Sequence, residues 1–177
     1  MRVLTLVGQM GAGKSTVARL LAARWSARGF HALDLDDAVV ARAGCSIAEL
    51  FARDGEPAFR RLERAALADA LACDGVILAT GGGAPCQPGA MDAILAAGPA
   101  VWLDAAPPLL AARALVTGGR PLLCGRDPAA AAAYLAAQRA ERQPFYQRVT
   151  FIVDASAPAF QVAAAVAALV TPELPWP

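Results

Sequence analysis

Lysine is almost absent from this sequence. Of its sixteen basic residues fifteen are arginine, and Lys14 stands alone. Histidine is as scarce, with His31 the single copy, and no CxxC pair occurs among Cys45, Cys73, Cys86 and Cys124. That excludes an obvious zinc site of cysteine and histidine, and the wide spacing fits reduced thiols in a cytosol rather than a disulfide framework. Most of these thiols are expected to be small buried hydrophobes, with Cys124 exposed in a loop and His31 at the surface. A surplus of one charge is missing too: a net charge of +1 leaves no basic surface to argue for nucleic acid. No uninterrupted apolar run reaches the ~20 residues a membrane span needs. The hydrophobic content of 57% rests largely on alanine and signals helices. The apolar start is only a strand long and leads directly into a glycine loop, which argues against a signal peptide. A cytoplasmic chain with neither membrane nor nucleic-acid partner is expected, and 177 residues suit one domain.

What is present begins with Gly8 to Ser15, read GQMGAGKS and followed by Thr16. Two glycines bracketing four residues, then Lys and Ser, mark a phosphate-cradling loop. Val3 to Val7 before it reads as a short buried strand and the run from Val17 as a helix, which is the context the motif requires. Gly8, Gly11 and Gly13 free the backbone to bring N–H groups up to an anion, joined by Ala12 within the same turn. The helix opening at Lys14 aims its positive dipole end at the same place. Lys14 suits the β- and γ-phosphates, and the Ser15 hydroxyl suits a Mg²⁺ shell. A chain that otherwise uses only arginine keeps lysine where a compact ammonium must fit among phosphates. These residues predict binding of a nucleoside triphosphate.

The rest alternates strands and helices. A first helix is expected over 14–28, stopped by Gly29 in the left-handed conformation. A second strand over 32–35 ends in the carboxylates Asp34, Asp36 and Asp37, with a helix from Asp36 to Ala43. Ser46 and Glu49 form a capping box for a helix over 47–53, and Pro57 opens a longer one to Ala72. Val76 to Ala79 is a strand followed by Gly81, Gly82 and Gly83, three glycines that imply a close approach to the backbone. Further strands are expected over 100–103 and 149–153, and helices over 89–97, from Pro107 or Pro108, over 129–142 and over 159–169. Thr117 to Pro128, with Arg120 and Arg126 among glycines and prolines, reads as a mobile cover; 171–177 reads as a loose tail. Five strands alternating with helices make an α/β fold with a parallel, helix-covered sheet. Ligands then collect at the C-terminal strand ends, which places the phosphate loop, Asp34, Asp36, the glycine triplet and Asp104 on one rim.

Taken singly, these residues stay open. Asp34 and Asp36 could serve Mg²⁺ through water and an acceptor, or only complement a helix dipole. Arg60 and Glu63, three apart on a helix, could be a surface ion pair. The combination is more specific. GQMGAGKST, LDLDD, GCSIAELFARDGEPAFRRLE, ATGGG, RPLL from Arg120 and ERQPFY from Glu141, in this order and spacing, resemble the shikimate kinase family over Met1 to about Leu169.

The resemblance implies a nucleoside-monophosphate-kinase-like P-loop fold: a three-layer sandwich with a five-stranded parallel sheet, a substrate-binding flap over 36–72 and a lid over 117–128, in one domain spanning 1–170. It implies transfer of the γ-phosphate of ATP to the 3-hydroxyl of shikimate with Mg²⁺, by a monomer. It further implies that Asp36 contacts the acceptor hydroxyls and is the favoured base, that Asp34 supports the magnesium shell beside Ser15, and that Arg60 and Arg142 hold the shikimate carboxylate. Gly82 makes a backbone contact and Arg120 reaches the phosphates from the lid. Arg113 and Pro158 are implied to enclose adenine, although the loop after Asp154 is about two residues shorter than in some members. Two departures sit elsewhere: Ala18 replaces a frequent glycine, and Val40 stands where glutamate is common. The alternatives are a kinase of another small polyol acid such as gluconate, or a regulatory P-loop module without catalysis.

Overall fold

A computed structural model describes residues 2–117, 123 and 125–170. Its centre is a sheet of five parallel strands in the order β2-β3-β1-β4-β5. The strands are β1 Val3–Val7, β2 His31–Asp34, β3 Val76–Ala79, β4 Ala100–Asp104 and β5 Phe151–Asp154. The helices are α1 Lys14–Arg24, α2 Leu35–Ala43, α3 Ile47–Ala72, α4 Ala90–Ala97, α5 Pro107–Thr117, α6 Pro128–Tyr146 and α7 Ala159–Leu169.

Every residue of β1 and β3 is buried, as expected of strands covered on both faces. Alternation along them divides the interior. Leu4, Leu6 and Ile77 pack with residues of α1, α5, α6 and α7 on one side. Val3, Val76 and Leu78 pack with residues of α2, α3 and α4 on the other. A sheet with apolar helices on both faces is the three-layer sandwich expected from the sequence. Its order reverses at β1: β3 lies on one side and β4 on the other. Such a switch point opens the crevice in which α/β sheets bind ligands, and here it falls at the phosphate loop.

Several boundaries differ from expectation, each for a local reason. The first helix stops at Arg24, and Ser26–Arg28 is a tighter 3-10 turn closed by Gly29 at φ +79°. The second strand ends at Asp34, because the Asp34 carboxylate accepts a hydrogen bond from the Asp36 N–H at 2.9 Å and caps α2, drawing Leu35 into the helix. The two helices expected between Ile47 and Ala72 lie end to end, interrupted at Gly55 with φ +74° and ψ 177°. The capping box at Ser46 and Glu49 is formed as expected. The last strand is 151–154 instead of 149–153. Helix α6 begins at Pro128, capped by Asp127, and runs through Pro144 to Tyr146, four residues past the expected end. Pro144 costs one hydrogen bond, and the turn beyond it survives because Tyr146 is buried against Val7 and Trp102. None of the cysteines placed among the described residues is fully buried: Cys45 and Cys86 are half-buried and Cys73 is exposed. Cys73 ends α3, where its thiol donates to the Asp69 carbonyl. His31 is exposed, as expected.

Candidate active site

The donor half of the rim is built by the turn from β1 into α1. Gly8, Gly11 and Gly13 have φ of +141°, +80° and +85°, values that an L side chain resists. Gly8 and Gly11 also lack room: a Cβ would lie 2.6 Å from the Leu103 carbonyl oxygen at the first and 2.3 Å from that of Leu110 at the second. The chain has to turn this tightly to deliver Lys14 and Ser15 at the start of α1. Ala12 is buried within the turn, whereas Thr16 is exposed. Lys14 is only 9% exposed, and its ammonium donates to the Gly8 and Gln9 carbonyls at 2.8 and 2.9 Å. A buried ammonium held by two backbone carbonyls is a fixed charge at the mouth of the loop. The Ser15 hydroxyl donates to the Asp34 carboxylate at 2.5 Å, so Asp34 joins the phosphate loop to the α2 cap it also forms. One hydroxyl and one carboxylate side by side suit Mg²⁺, a hard cation that prefers oxygen and fills its shell with phosphate and water.

The acceptor half surrounds the glycine triplet after β3. None of the three glycines has a positive φ; what each lacks is space. A Cβ on Gly81 would stand 3.0 Å from both the Asp36 and the Glu63 carboxylates. On Gly82 it would stand 2.7 Å from the Arg142 guanidinium, 3.5 Å from the Gly8 carbonyl oxygen and 3.6 Å from the Tyr146 hydroxyl. On Gly83 it would stand 3.0 Å from the Arg60 guanidinium. The close approach implied by three consecutive glycines is thus made by four charged side chains from three helices: Asp36 on α2, Arg60 and Glu63 on α3, and Arg142 on α6. They converge on one short loop, which abuts the phosphate loop.

The charges in this half are held by one another. Arg60 donates to Glu63 at 2.7 Å and to Glu56 at 3.0 and 3.1 Å, and lies over the Phe59 ring at 5.1 Å. Read as a surface pair, Arg60 and Glu63 are misplaced: the Glu63 side chain is only 2% exposed. Burial pushes the Glu63 carboxyl above its ordinary value; Arg60 opposes that shift, Asp36 adds to it, and Arg142 opposes it again. Burial also works against the Arg60 charge, but Glu63 and Glu56 more than offset it, so that guanidinium is held above its ordinary value. A fixed guanidinium facing a loop of bare backbone is suited to a carboxylate, and an acidic group beside it to hydroxyls. Below them Cys86 is half-buried, and burial pushes its thiol up.

Three further interactions in this region escape sequence reasoning. Asp104, expected on the ligand rim, is engaged: Arg139 grips it with two hydrogen bonds of 2.6 and 3.1 Å while lying over Trp102 at 5.4 Å. Gln9, 2% exposed, donates from its carboxamide to the Leu135 carbonyl at 2.7 Å and so ties the phosphate loop to α6. Tyr146 donates to the Gly82 carbonyl at 2.5 Å. Only the spacing of Arg139, Arg142 and Tyr146 at three and four residues hinted that α6 turns one face to the rim. On the far side of the donor half, Arg113 donates to the Ala155, Ser156 and Ala157 carbonyls at 2.6, 2.7 and 3.3 Å. That brings it to the loop just before the exposed Pro158. Arg120, Cys124 and half of the expected lid, like the tail of 171–177, lie outside the described residues.

A phosphate loop faces a carboxylate and two arginines across bare glycine backbone, an arrangement suited to a small anion beside a phosphate-bearing ligand. The shikimate kinase family model matches residues 10–170. The chain belongs to the shikimate kinase family. It is similar to a shikimate kinase of Synechococcus sp. (strain RCC307), 44% identical over 153 residues that cover 86% of this chain and 75% of the relative. A shikimate kinase of Symbiobacterium thermophilum is 42% identical over 151 residues, 84% of this chain and 83% of the relative. Among solved structures, shikimate kinase from Acinetobacter baumannii in complex with shikimate superposes with a TM-score of 0.86 at 29% identity, covering 98% of this chain and 96% of that one. A gluconokinase from Sinorhizobium meliloti reaches a TM-score of 0.58 at 20% identity over 94% and 92% of the two chains, which is shared fold alone. The chain is therefore an ATP-dependent shikimate kinase-family phosphotransferase serving aromatic amino acid biosynthesis, and neither the gluconate reading nor the regulatory module is favoured. Among the described residues no helix is long and apolar enough to cross a membrane.

Proposed function

We propose that this chain moves the γ-phosphate of ATP to the 3-hydroxyl of shikimate within one kinase domain over 1–170, with the flap of 36–72 and the lid of 117–128 closing on the two substrates. The observation that carries the reading is the place of Gly82, against both Arg142 and the carbonyl of Gly8. An anion held at the first is thereby close to phosphates held at the second.

In this reading Arg60 and Arg142 bind the shikimate carboxylate with Gly82 beside them, and Asp36 receives the hydroxyls. Glu63 keeps Arg60 aimed at the acceptor. Gly11, Ala12, Gly13, Lys14, Ser15 and Thr16 form the phosphate site, Arg113 and Pro158 the adenine site, and Arg120 approaches the phosphates from the lid. Ser15, with Asp34 through water, would hold Mg²⁺, which supplies charge neutralisation at the phosphates when bound. Phosphoryl transfer passes through a loose transition state that asks mainly for alignment and charge. Asp36 accepts a hydrogen bond from the acceptor hydroxyl, sets it in line with the phosphorus and takes its proton as the bond forms. Lys14 holds the charge of the phosphate oxygens, and exclusion of water by the closed lid limits hydrolysis of ATP. The enzyme acts as a monomer in the cytoplasm.

The test is release of ADP from Mg²⁺-ATP on addition of shikimate, with gluconate and quinate as controls. Turnover with shikimate alone is expected, and folded protein without shikimate-dependent turnover would sink the reading. Asp36→Asn is expected to lower kcat by about 10²-fold or more, the scale of a lost acid–base partner, with the KM for ATP little changed. Near-normal turnover in that variant would remove Asp36 from the chemistry.

A further inference from the structure

Helix α6 carries Arg142 and Tyr146 four residues apart, hence on one face, and the two side chains flank Gly82. A Cβ on that glycine would be 2.7 Å from the Arg142 guanidinium and 3.6 Å from the Tyr146 hydroxyl. Tyr146 is wholly buried. Its ring leans on Trp102 with centroids 5.4 Å apart and planes tilted by 57°. A buried hydroxyl needs a partner, and the Tyr146 O–H donates to the Gly82 carbonyl at 2.5 Å. Among the described residues no peptide bond is cis. In a planar trans peptide the carbonyl of one residue and the N–H of the next point in opposite directions, so fixing the Gly82 carbonyl also fixes the Gly83 N–H.

We infer that Tyr146 is a positioning residue for the acceptor: its hydroxyl holds the Gly82 carbonyl and so fixes the Gly82–Gly83 peptide, turning the Gly83 N–H away from Tyr146 at the position that the Arg60 guanidinium crowds. This rests on the acceptor site proposed above. Glycine makes the lock necessary. The Gly81 and Gly83 carbonyls accept from the Ala84 and Cys86 N–H groups at 3.2 and 3.1 Å, whereas the Gly82–Gly83 peptide, with no side chain to pack, could turn at little cost without Tyr146, and the geometry of an anion site depends on which way its N–H groups point. The hydroxyl remains a donor throughout, because burial pushes its ionisation far up and the nearby Arg142 only partly opposes this. Tyr146 acts through the direction in which a backbone donor points.

Tyr146→Phe removes the hydroxyl's hydrogen bonds to the Gly82 carbonyl and to the Arg142 guanidinium and keeps the ring against Trp102 and Val7. Steady-state kinetics with Mg²⁺-ATP are expected to show the shikimate KM raised about five- to tenfold, the scale of one hydrogen bond. The kcat and the KM for ATP should stay within about twofold, as they report groups that the hydroxyl does not touch. Trp102→Phe serves as the structural comparison: it loosens the packing under Tyr146 while leaving the hydroxyl, and should lower Tm without changing the shikimate KM. The inference is overturned if Tyr146→Phe leaves the shikimate KM unchanged, if both KM values rise together, if the variant does not fold, or if Trp102→Phe raises the shikimate KM as much. A wild-type protein without shikimate turnover would instead defeat the acceptor reading itself.

Discussion

In the loop after β1 three glycines have φ between +80° and +141°, and in the loop after β3 three glycines have none in that range. Both loops sit on one rim and touch where Gly82 meets Gly8. The first uses glycine for conformation. Its backbone turns through angles that other residues resist, and at Gly11 a Cβ would strike the backbone of α5, which cannot give way. The second uses glycine for space. None of its φ values is positive, but Asp36, Glu63, Arg142 and Arg60 crowd the positions that Cβ atoms would take. A nucleotide's phosphates are recognised by backbone N–H groups, so their loop must contort. In the proposed acceptor site charged side chains must stand beside the backbone of the loop, so the loop makes way for them. The difference follows from what each substrate presents.

That contrast makes unequal demands on substitution. Gly11→Ala is expected to have the largest effect, combining a strained φ with a 2.3 Å clash against a rigid carbonyl. A loss of more than ~3 kcal/mol in stability is expected, together with loss of ATP binding, measured by thermal unfolding and nucleotide titration. A variant that folds and binds ATP normally would show that the conformational reading of this loop is wrong. Gly82→Ala comes next and should behave differently, because the added methyl meets the tip of Arg142, which can swing aside. Its Tm should stay within a few degrees while the shikimate KM rises about tenfold, a displaced charged hydrogen bond being worth ~1.5 kcal/mol or more. Equal rises in the KM for ATP would blur the division between the halves.

Glu63→Gln tests the charge that crowds Gly81. A carboxyl whose folded value lies above its unfolded one contributes stability that is complete below the unfolded value and lost as pH rises through the folded one. Glu63 is shifted upward from 4.5, by burial first. Wild type should therefore lose stability relative to Glu63→Gln as pH rises above the ordinary value of 4.5. Denaturant melts of both proteins across that window measure it, and a wild type that gains on the variant instead would mean that Arg60 outweighs burial. The smallest effect belongs to Gly89→Ala. There φ is +75° and a Cβ would meet nothing within 4 Å, so conformational strain acts alone. It should cost ~1–2 kcal/mol, or a Tm lower by about 2–8 °C, with unchanged kinetics. A drop as large as that of Gly11→Ala would leave the backbone clash at Gly11 with nothing to explain.

Most of the donor half was legible in the sequence, since its chemistry is carried by consecutive residues. GQMGAGKS names the loop, the cation and the hydroxyl, and the strand and helix around it follow from local pattern. The acceptor half was legible only in part. Three consecutive glycines signalled a close approach, and resemblance assigned Asp36, Arg60 and Arg142, but no spacing in the chain says that residues 36, 60, 63 and 142 meet at 81–83. Read locally, Arg60 and Glu63 fit an exposed helix equally well, and nothing in the chain around Asp104 marks Arg139 as its partner.

The sequence by itself determined the alternation of strands and helices, the phosphate loop and the family, because hydrophobic period, capping residues and contiguous motifs act over a few neighbours. Only the tertiary structure decided the burial of Glu63, the engagement of Asp104, the reach of Gln9 to α6 and the hydroxyl of Tyr146 on Gly82. Each of these depends on which helix packs over which strand end. Burial and electrostatics depend on distance in space, and the partners here stand 35 residues apart at Asp104 and Arg139, 64 at Gly82 and Tyr146, and 126 at Gln9 and Leu135.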